Sequence, residues 1–328
     1  MKLFLTRIIA LAFFMALTPT FLHLSLPKLG TDENHYIAAM IDKHAAAEIE
    51  GARLFVAGGS NVALGVDSES LSRELSLPVV NLGLHAGLGL DFILEELKVL
   101  IRSRDIVVVS PEYLLYSEGQ YKLKRIASDL YPMASSFYEG DINQDFAILI
   151  ERFKERFFLL FNSTGEQVIQ ERDLSDSGSE RGDPTFKGGT YLRSSFNKWG
   201  DHIAHLDSPD VDFFEGSFPN YLKWDGIMKL NQFASYANDL GVQVFFAFPP
   251  FPKSSLLASR GGVDQLEADL ASDLSFEIIN RPLDVAYENS HFFDSVYHLN
   301  RIGRASRTEN LLKGLKRRLS SPASKPDA

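Results

Sequence analysis

The 328-residue chain contains no cysteine. That excludes disulfides, thiolate metal sites, a cysteine nucleophile and a lipid anchor on cysteine, without fixing a compartment. Basic charge is also short: 33 Lys and Arg stand against 43 Asp and Glu, a formal net charge of −10. No basic face is available to neutralise phosphates, so nucleic-acid binding is not expected. Nucleotide fingerprints are missing as well: no Gly-x-Gly-x-x-Gly opens a helix after the first strand pattern, and no Gly-Lys-Ser/Thr follows it. Because His, Asp and Glu form no compact cluster, neither a metal nor a cofactor is expected. What remains is an ordinary globular composition, 45% hydrophobic and 23% charged. Its length suits one substantial core, or one core with an elaborate insertion.

Charge is absent again over residues 8–26, which follow Lys2 and Arg7 and precede Asp32 and Glu33. About nineteen residues at about 1.5 Å each come close to spanning a bilayer's hydrocarbon core. Basic residues before the span and acidic ones after it orient the body outward. No small-x-small cleavage signal follows the apolar core, which continues Thr18-Pro19-Thr20-Phe21-Leu22. The expectation is an uncleaved single-pass anchor over 1–30 in the inner (cytoplasmic) membrane, with the body facing the periplasm or outside. A cleaved signal peptide is the competing reading, favoured by Pro19 and His23.

Beyond the anchor, strands alternate with helices. Residues 32–50 carry a helical pattern. A first strand begins at Arg53 and ends in Gly58-Gly59-Ser60-Asn61; others are expected over 77–82, 105–109, 242–248 and 276–280. Helices are expected over 68–75, 90–103, 143–161, 263–270 and 303–319, and one ends at Gly241. That rhythm implies a three-layer α/β/α sandwich with a mostly parallel sheet. Residues 114–220 break it. They read as an insertion within an α/β domain over 31–319 that caps the sheet's functional edge. Tyr113, Tyr116, Tyr121, Tyr131, Phe137 and Tyr138 cluster near its start, as packing or as sugar platforms. Residues 170–187 read as a mobile polar loop and 320–328 as a disordered tail.

Ser60 ends a buried strand after two glycines, where open α/β sheets gather their chemistry. Taken alone, this is also how an ordinary strand-ending turn looks. Three blocks in order give it more weight. Gly58-Gly59-Ser60-Asn61 resembles the Gly-Asp-Ser block of SGNH (GDSL-type) hydrolases. Val80-Asn81-Leu82-Gly83-Leu84-His85-Ala86-Gly87 resembles their second block. Phe293-Asp294 through His298-Leu299-Asn300, followed by Gly303, resembles their last. With the anchor, the chain is most similar to the branch related to alginate O-acetyltransferases and lipoteichoic-acid D-alanylation proteins.

The resemblance implies an SGNH/flavodoxin-like fold and acyl transfer at Ser60, with His298 as base and Asp294 holding the imidazole. It assigns the oxyanion to the backbone N–H groups of Ser60 and Gly87, with Asn81 and Glu112 beside them. Three departures stand out: Gly59 replaces the family's aspartate, Asp294 and His298 are four apart rather than three, and Glu112 stands where an asparagine donor is expected. An ionised carboxylate cannot donate, so Glu112 turns away, takes up a proton, or marks a site unlike a standard esterase. His85 reads as a loop or pocket-wall residue. His291, His202 and His205 carry no catalytic expectation, although the last two lie in the insertion, where substrate contact is conceivable. The function implied is acyl transfer, acetyl foremost, to or from a cell-envelope or secreted polysaccharide, with a membrane acyl-donor protein as a partner. Its rivals are a non-catalytic subunit of a polysaccharide assembly complex and a plain esterase on small acyl esters.

Overall fold

The computed structural model describes residues 32–161, 190–207 and 223–320, together with Arg7, Phe218 and Tyr221. The expected anchor, the polar loop 170–187 and the tail from 321 lie outside the described residues. Among the described residues no helix is long and apolar enough to cross a membrane.

The strands are short and rich in β-formers. β1 is Leu54–Ala57, β2 Val79–Asn81, β3 Ile106–Val109, β4 Gln243–Phe246 and β6 Glu277–Ile278. They form one five-stranded sheet in the order β2-β1-β3-β4-β6, and every pairing is parallel. β1 and β3 are buried along their whole length, because helices cover both faces. Alternate residues face opposite ways. Phe55, Ala57, Val107, Val109 and Phe246 pack with Leu94 and Leu97 of α4 (Leu90–Leu100) and with Leu230 and Phe233 of α7 (Gly226–Asp239). Leu54, Val56, Val108 and Phe245 pack with Val62 of α2 (Ser60–Gly65), Leu71 of α3 (Ser68–Leu75), and Leu311 and Leu315 of α10 (Arg301–Leu319).

The winding reverses at β1. From β1 the chain steps outward to β2, then returns past β1 to β3, β4 and β6 on the other side. That reversal leaves a crevice beyond the carboxyl ends of β1 and β3, where the flanking connections diverge. A third apolar cluster borders this end: Tyr36, Met40 of α1 (Ala39–Ala46), Phe92, Leu123 of α5 (Tyr121–Leu130), Tyr191 and Phe293.

Most expected elements form within a residue or two of their expected bounds, and three features were not anticipated. The chain enters α2 at Ser60 itself instead of turning loosely. α5 gives residues 121–130 a helix that packs against the loop of the second block. Finally, β5 (Phe251–Pro252) pairs in parallel with β7 (Ala286–Tyr287) in a separate two-stranded sheet, so the chain extends again after Pro249-Pro250 ends the central strand. The remaining helices are α6 (Ile142–Phe161), α8 (Lys253–Ala258) and α9 (Arg260–Asp273).

Candidate active site

Asp294 and His298 lie at the two ends of a tight loop. Phe293 N–H donates to the His298 carbonyl at 2.8 Å, and Phe292 pairs antiparallel with Leu299. Closing the loop in this way brings the two side chains together despite their four-residue spacing: His298 Nδ1 meets Asp294 Oδ1 at 2.6 Å. Both are buried. Tyr191, which nothing in the sequence singled out, donates its hydroxyl to Asp294 Oδ2 and lies 3.2 Å from His298 Nδ1. Burial opposes ionisation of Asp294. The bonds from His298 and Tyr191 outweigh it and hold the carboxyl below the usual carboxylate range. With Nδ1–H committed to the carboxylate, Nε2 is the basic nitrogen, and among the described residues it has no partner.

Ser60 follows β1 through Gly58 and Gly59 and opens α2, half-buried in the crevice. Among the described residues its hydroxyl makes no hydrogen bond, with His298 or any other group. The two are carried on elements that touch: Leu299 Cδ1 stands 3.4 Å from where a Cβ on Gly65 would lie.

Gly59 and Glu112 are coupled in space. The Glu112 side chain points into the site rather than away from it. A Cβ on Gly59 would stand 2.5 Å from both Glu112 carboxylate oxygens, so an aspartate cannot occupy residue 59 while Glu112 holds this position. Glu112 Oε1 accepts the Asn61 N–H at 3.1 Å, while Oε2 is buried without a hydrogen-bond partner among the described residues. Behind α2 lies Arg307, fully buried, bonded to Asn61 Oδ1 at 2.7 Å and Ser110 Oγ at 2.9 Å. Burial pulls its guanidinium down to about 10, with Tyr287 and Glu112 acting against that fall.

The amides left open beside Ser60 differ in detail from those expected. Gly87 N–H is already given to His85 Nδ1 at 2.9 Å. The neighbouring Ala86 N–H makes no bond among the described residues, and it lies 2.7 Å from where a Gly59 Cβ would stand. Ser60 N–H is likewise unbonded among the described residues, so the amides of Ser60 and Ala86 are open to an acceptor. Asn81 takes no part in this. It is fully buried and braces the fold, donating to Val62 O at 3.0 Å and Asp201 Oδ1 at 2.9 Å and accepting Gly83 N–H at 2.9 Å.

His202 and His205 are buried behind the dyad instead of facing a substrate. Their Nδ1 atoms are 2.9 Å apart, while His202 Nε2 faces Thr190 O and His205 Nε2 faces Leu299 O, each at 2.9 Å. Three contacts call for three protons, whereas two neutral rings carry two. Burial pushes His202 down to about 4 and His205 down to about 3, which favours the neutral rings. Tyr191 stacks on His202 with ring centroids 5.4 Å apart, so this pair supports the ring whose hydroxyl holds Asp294.

Compared with known proteins, the sequence matches no family model and no curated protein. The site must therefore be judged on its own geometry. Among the described residues it holds a hydroxyl in a sheet-edge crevice, a carboxylate-held imidazole with a free nitrogen, and two open amides.

Proposed function

We propose that this chain is a membrane-anchored, extracytoplasmic acyltransferase or esterase of SGNH type. It would move an acyl group, acetyl foremost, to or from a cell-envelope or secreted polysaccharide, with residues 114–220 capping the functional edge. The observation that carries this reading is the Asp294–His298 pair at 2.6 Å, with Nε2 unengaged among the described residues, at the same edge as Ser60. In the proposed reaction His298 Nε2 takes the Ser60 proton as Oγ attacks the acyl carbonyl. The amides of Ser60 and Ala86 receive the tetrahedral oxyanion, a contribution that typically costs about a hundredfold in rate when one donor is lost. Collapse expels the donor's alcohol, which takes its proton from the imidazolium, and leaves acyl-Ser60. A sugar hydroxyl or water, deprotonated by His298, then attacks that ester and regenerates Ser60. Asp294 and Tyr191 hold the imidazole in one tautomer and stabilise its charged form.

A second reading is a non-catalytic subunit with the same fold. Glu112 favours it, since a carboxyl group lies beside the amides an oxyanion would use. The full chain in detergent, treated with a reactive acetyl ester, separates the two readings. We expect a transient acetyl mass on the Ser60 peptide, none in Ser60→Ala, and formation slowed by orders of magnitude in His298→Ala. Turnover that persists in Ser60→Ala, with no adduct in the parent, would rule out the acyl-serine route. An inert parent, also inert toward acetylated polysaccharide, would favour the non-catalytic subunit.

A further inference from the structure

The helix α6 (Ile142–Phe161) carries an apolar stripe that the rest of the protein leaves open. None of its described side chains is buried. Ile142 is 62% exposed, Phe146 49% and Ile150 39%; spaced four apart, they lie on one face. The sequence continues that face through Phe153, Phe157 and Leu160. Asp145, Ile148 and Leu149 are half-buried, so the helix rests on the body along a neighbouring flank. The stripe beside that flank stays free. Helices take most of their stability from covering an apolar face, and an exposed stripe of large apolar residues marks a contact surface. At about 1.5 Å per residue this one is about 30 Å long.

Charge and position say what covers it. Helical spacing sets Arg152, Lys154 and Arg156 at the margins of the stripe, and Glu151 and Glu155 on the opposite side. An apolar face with basic margins and acidic residues turned away suits a bilayer interface. There the apolar groups enter the acyl boundary while the cations stay among headgroup phosphates. The start of the described chain points the same way. The uncharged run 8–26 ends six residues before Asp32, a reach of at most about 20 Å. Tyr36 and Ile37 then pack with Leu123, Ile126 and Ala127 of α5. α5 in turn holds the start of α6: the Tyr121 hydroxyl accepts Asp141 N–H at 3.0 Å, and Arg125 stands 3.5 Å from Asp145. One helix therefore lies between the place where the chain would leave a bilayer and the helix with the open stripe.

We propose that α6 is an interfacial helix, which lays the stripe of Ile142, Phe146 and Ile150 on the membrane surface and holds the cap against the bilayer. This second membrane contact goes beyond the acyl-transfer chemistry and rests on the anchored reading above for bringing the body to a bilayer. Because the chain has no cysteine, single-cysteine variants can each carry one nitrobenzoxadiazole fluorophore. Phe146→Cys and Ile150→Cys probe the stripe; Ala147→Cys on the far side of α6 and Lys313→Cys on α10, both exposed, are the contrasts. Each full chain is reconstituted in phosphatidylethanolamine–phosphatidylglycerol vesicles, with and without nitroxide on the lipid chains. Labels at 146 and 150 should be quenched about twofold or more by the lipid nitroxide, and the label at 313 hardly at all, with 147 between them. The quenching should persist when the protein is diluted in lipid. Ile142→Asp with Phe146→Asp, in the Ile150→Cys protein, should abolish it while circular dichroism keeps its helical signal. Labels at 146 and 150 that aqueous iodide reaches as freely as the label at 313 would overturn the proposal. So would shielding that lipid nitroxide does not report and that dilution removes, which would assign the stripe to a second copy of the chain. Either result in an anchored protein sinks this inference alone. Recovery of the protein in soluble form, without residues 1–26, would sink the anchored reading. The same labels with vesicles added then decide this inference: lipid quenching upholds it and its absence overturns it.

Discussion

At Gly59 a single hydrogen stands where any side chain would meet a carboxylate. A methyl group there would lie 2.5 Å from both Glu112 oxygens and 2.7 Å from the Ala86 nitrogen, closer than van der Waals packing permits. Gly59→Ala should therefore cost about 1–3 kcal/mol, the usual range for overpacking, and should push Ala86 away from the site. Adding Glu112→Ala removes the flexible obstacle but not the backbone one, so the double variant should recover only part of the loss in denaturant unfolding. Full recovery would mean that Glu112 alone excludes a side chain at residue 59. No recovery would place the conflict at Ala86. The carboxylate beside the serine thus arrives from β3's end, not from the residue before the serine.

Between elements, one buried carboxylate fastens three of them. Asp201 accepts Ser68 Oγ–H at 2.6 Å and Ser68 N–H at 3.0 Å at the start of α3, Asn81 Nδ2–H at 2.9 Å from β2, and Arg304 at 2.9 Å from α10. The segment 190–207 thereby holds the carboxyl end of β2 against α3 and α10, and the same segment presents Tyr191 to Asp294. Asp201→Asn leaves the shape but removes the charge opposite a buried guanidinium. Breaking such a pair from one side typically costs about 3–5 kcal/mol, and a loss of that size is expected in urea unfolding. A loss below about 1 kcal/mol would show that Arg304 finds another acceptor and that the fastening is incidental.

For the whole molecule, acid should be more damaging than its carboxylates alone would make it. His202 and His205 titrate lower folded than unfolded, at about 4 and about 3, against about 6.5 for an unfolded histidine. Below that pH the unfolded chain binds the extra protons, so stability present above about pH 6.5 is lost as the pH falls toward the folded values. Each ring contributes a slope of up to about 1.4 kcal/mol per pH unit. Thermal unfolding between pH 7 and pH 4.5 should thus fall more steeply in the parent than in a His202→Gln, His205→Gln double variant. Equal slopes would remove the pair as the cause.

The sequence by itself determined most elements of the central sheet and the order of the candidate site residues along the chain. Apolar β-rich runs beginning at 53 and over 105–109 and 242–248 read as buried strands, because both their faces ask for cover, and they hold β1, β3 and β4. Glycines marked the crevice end of β1, whereas Asp294 and His298 were paired only through the resemblance of the last block, against a spacing one residue longer than that pattern expects. Partners far apart in sequence were invisible. Tyr191 reaches Asp294 across 103 residues and Glu112 reaches Asn61 across 51; neither leaves a periodic or local signal. The choice of Ala86 over Gly87 as the open amide depended on where the His85 ring turned, and the buried position of His202 and His205 depended on how segment 190–207 docks. Local periodicity reports which surfaces need burial. Which groups then meet is decided only when the packed elements bring them within hydrogen-bond reach.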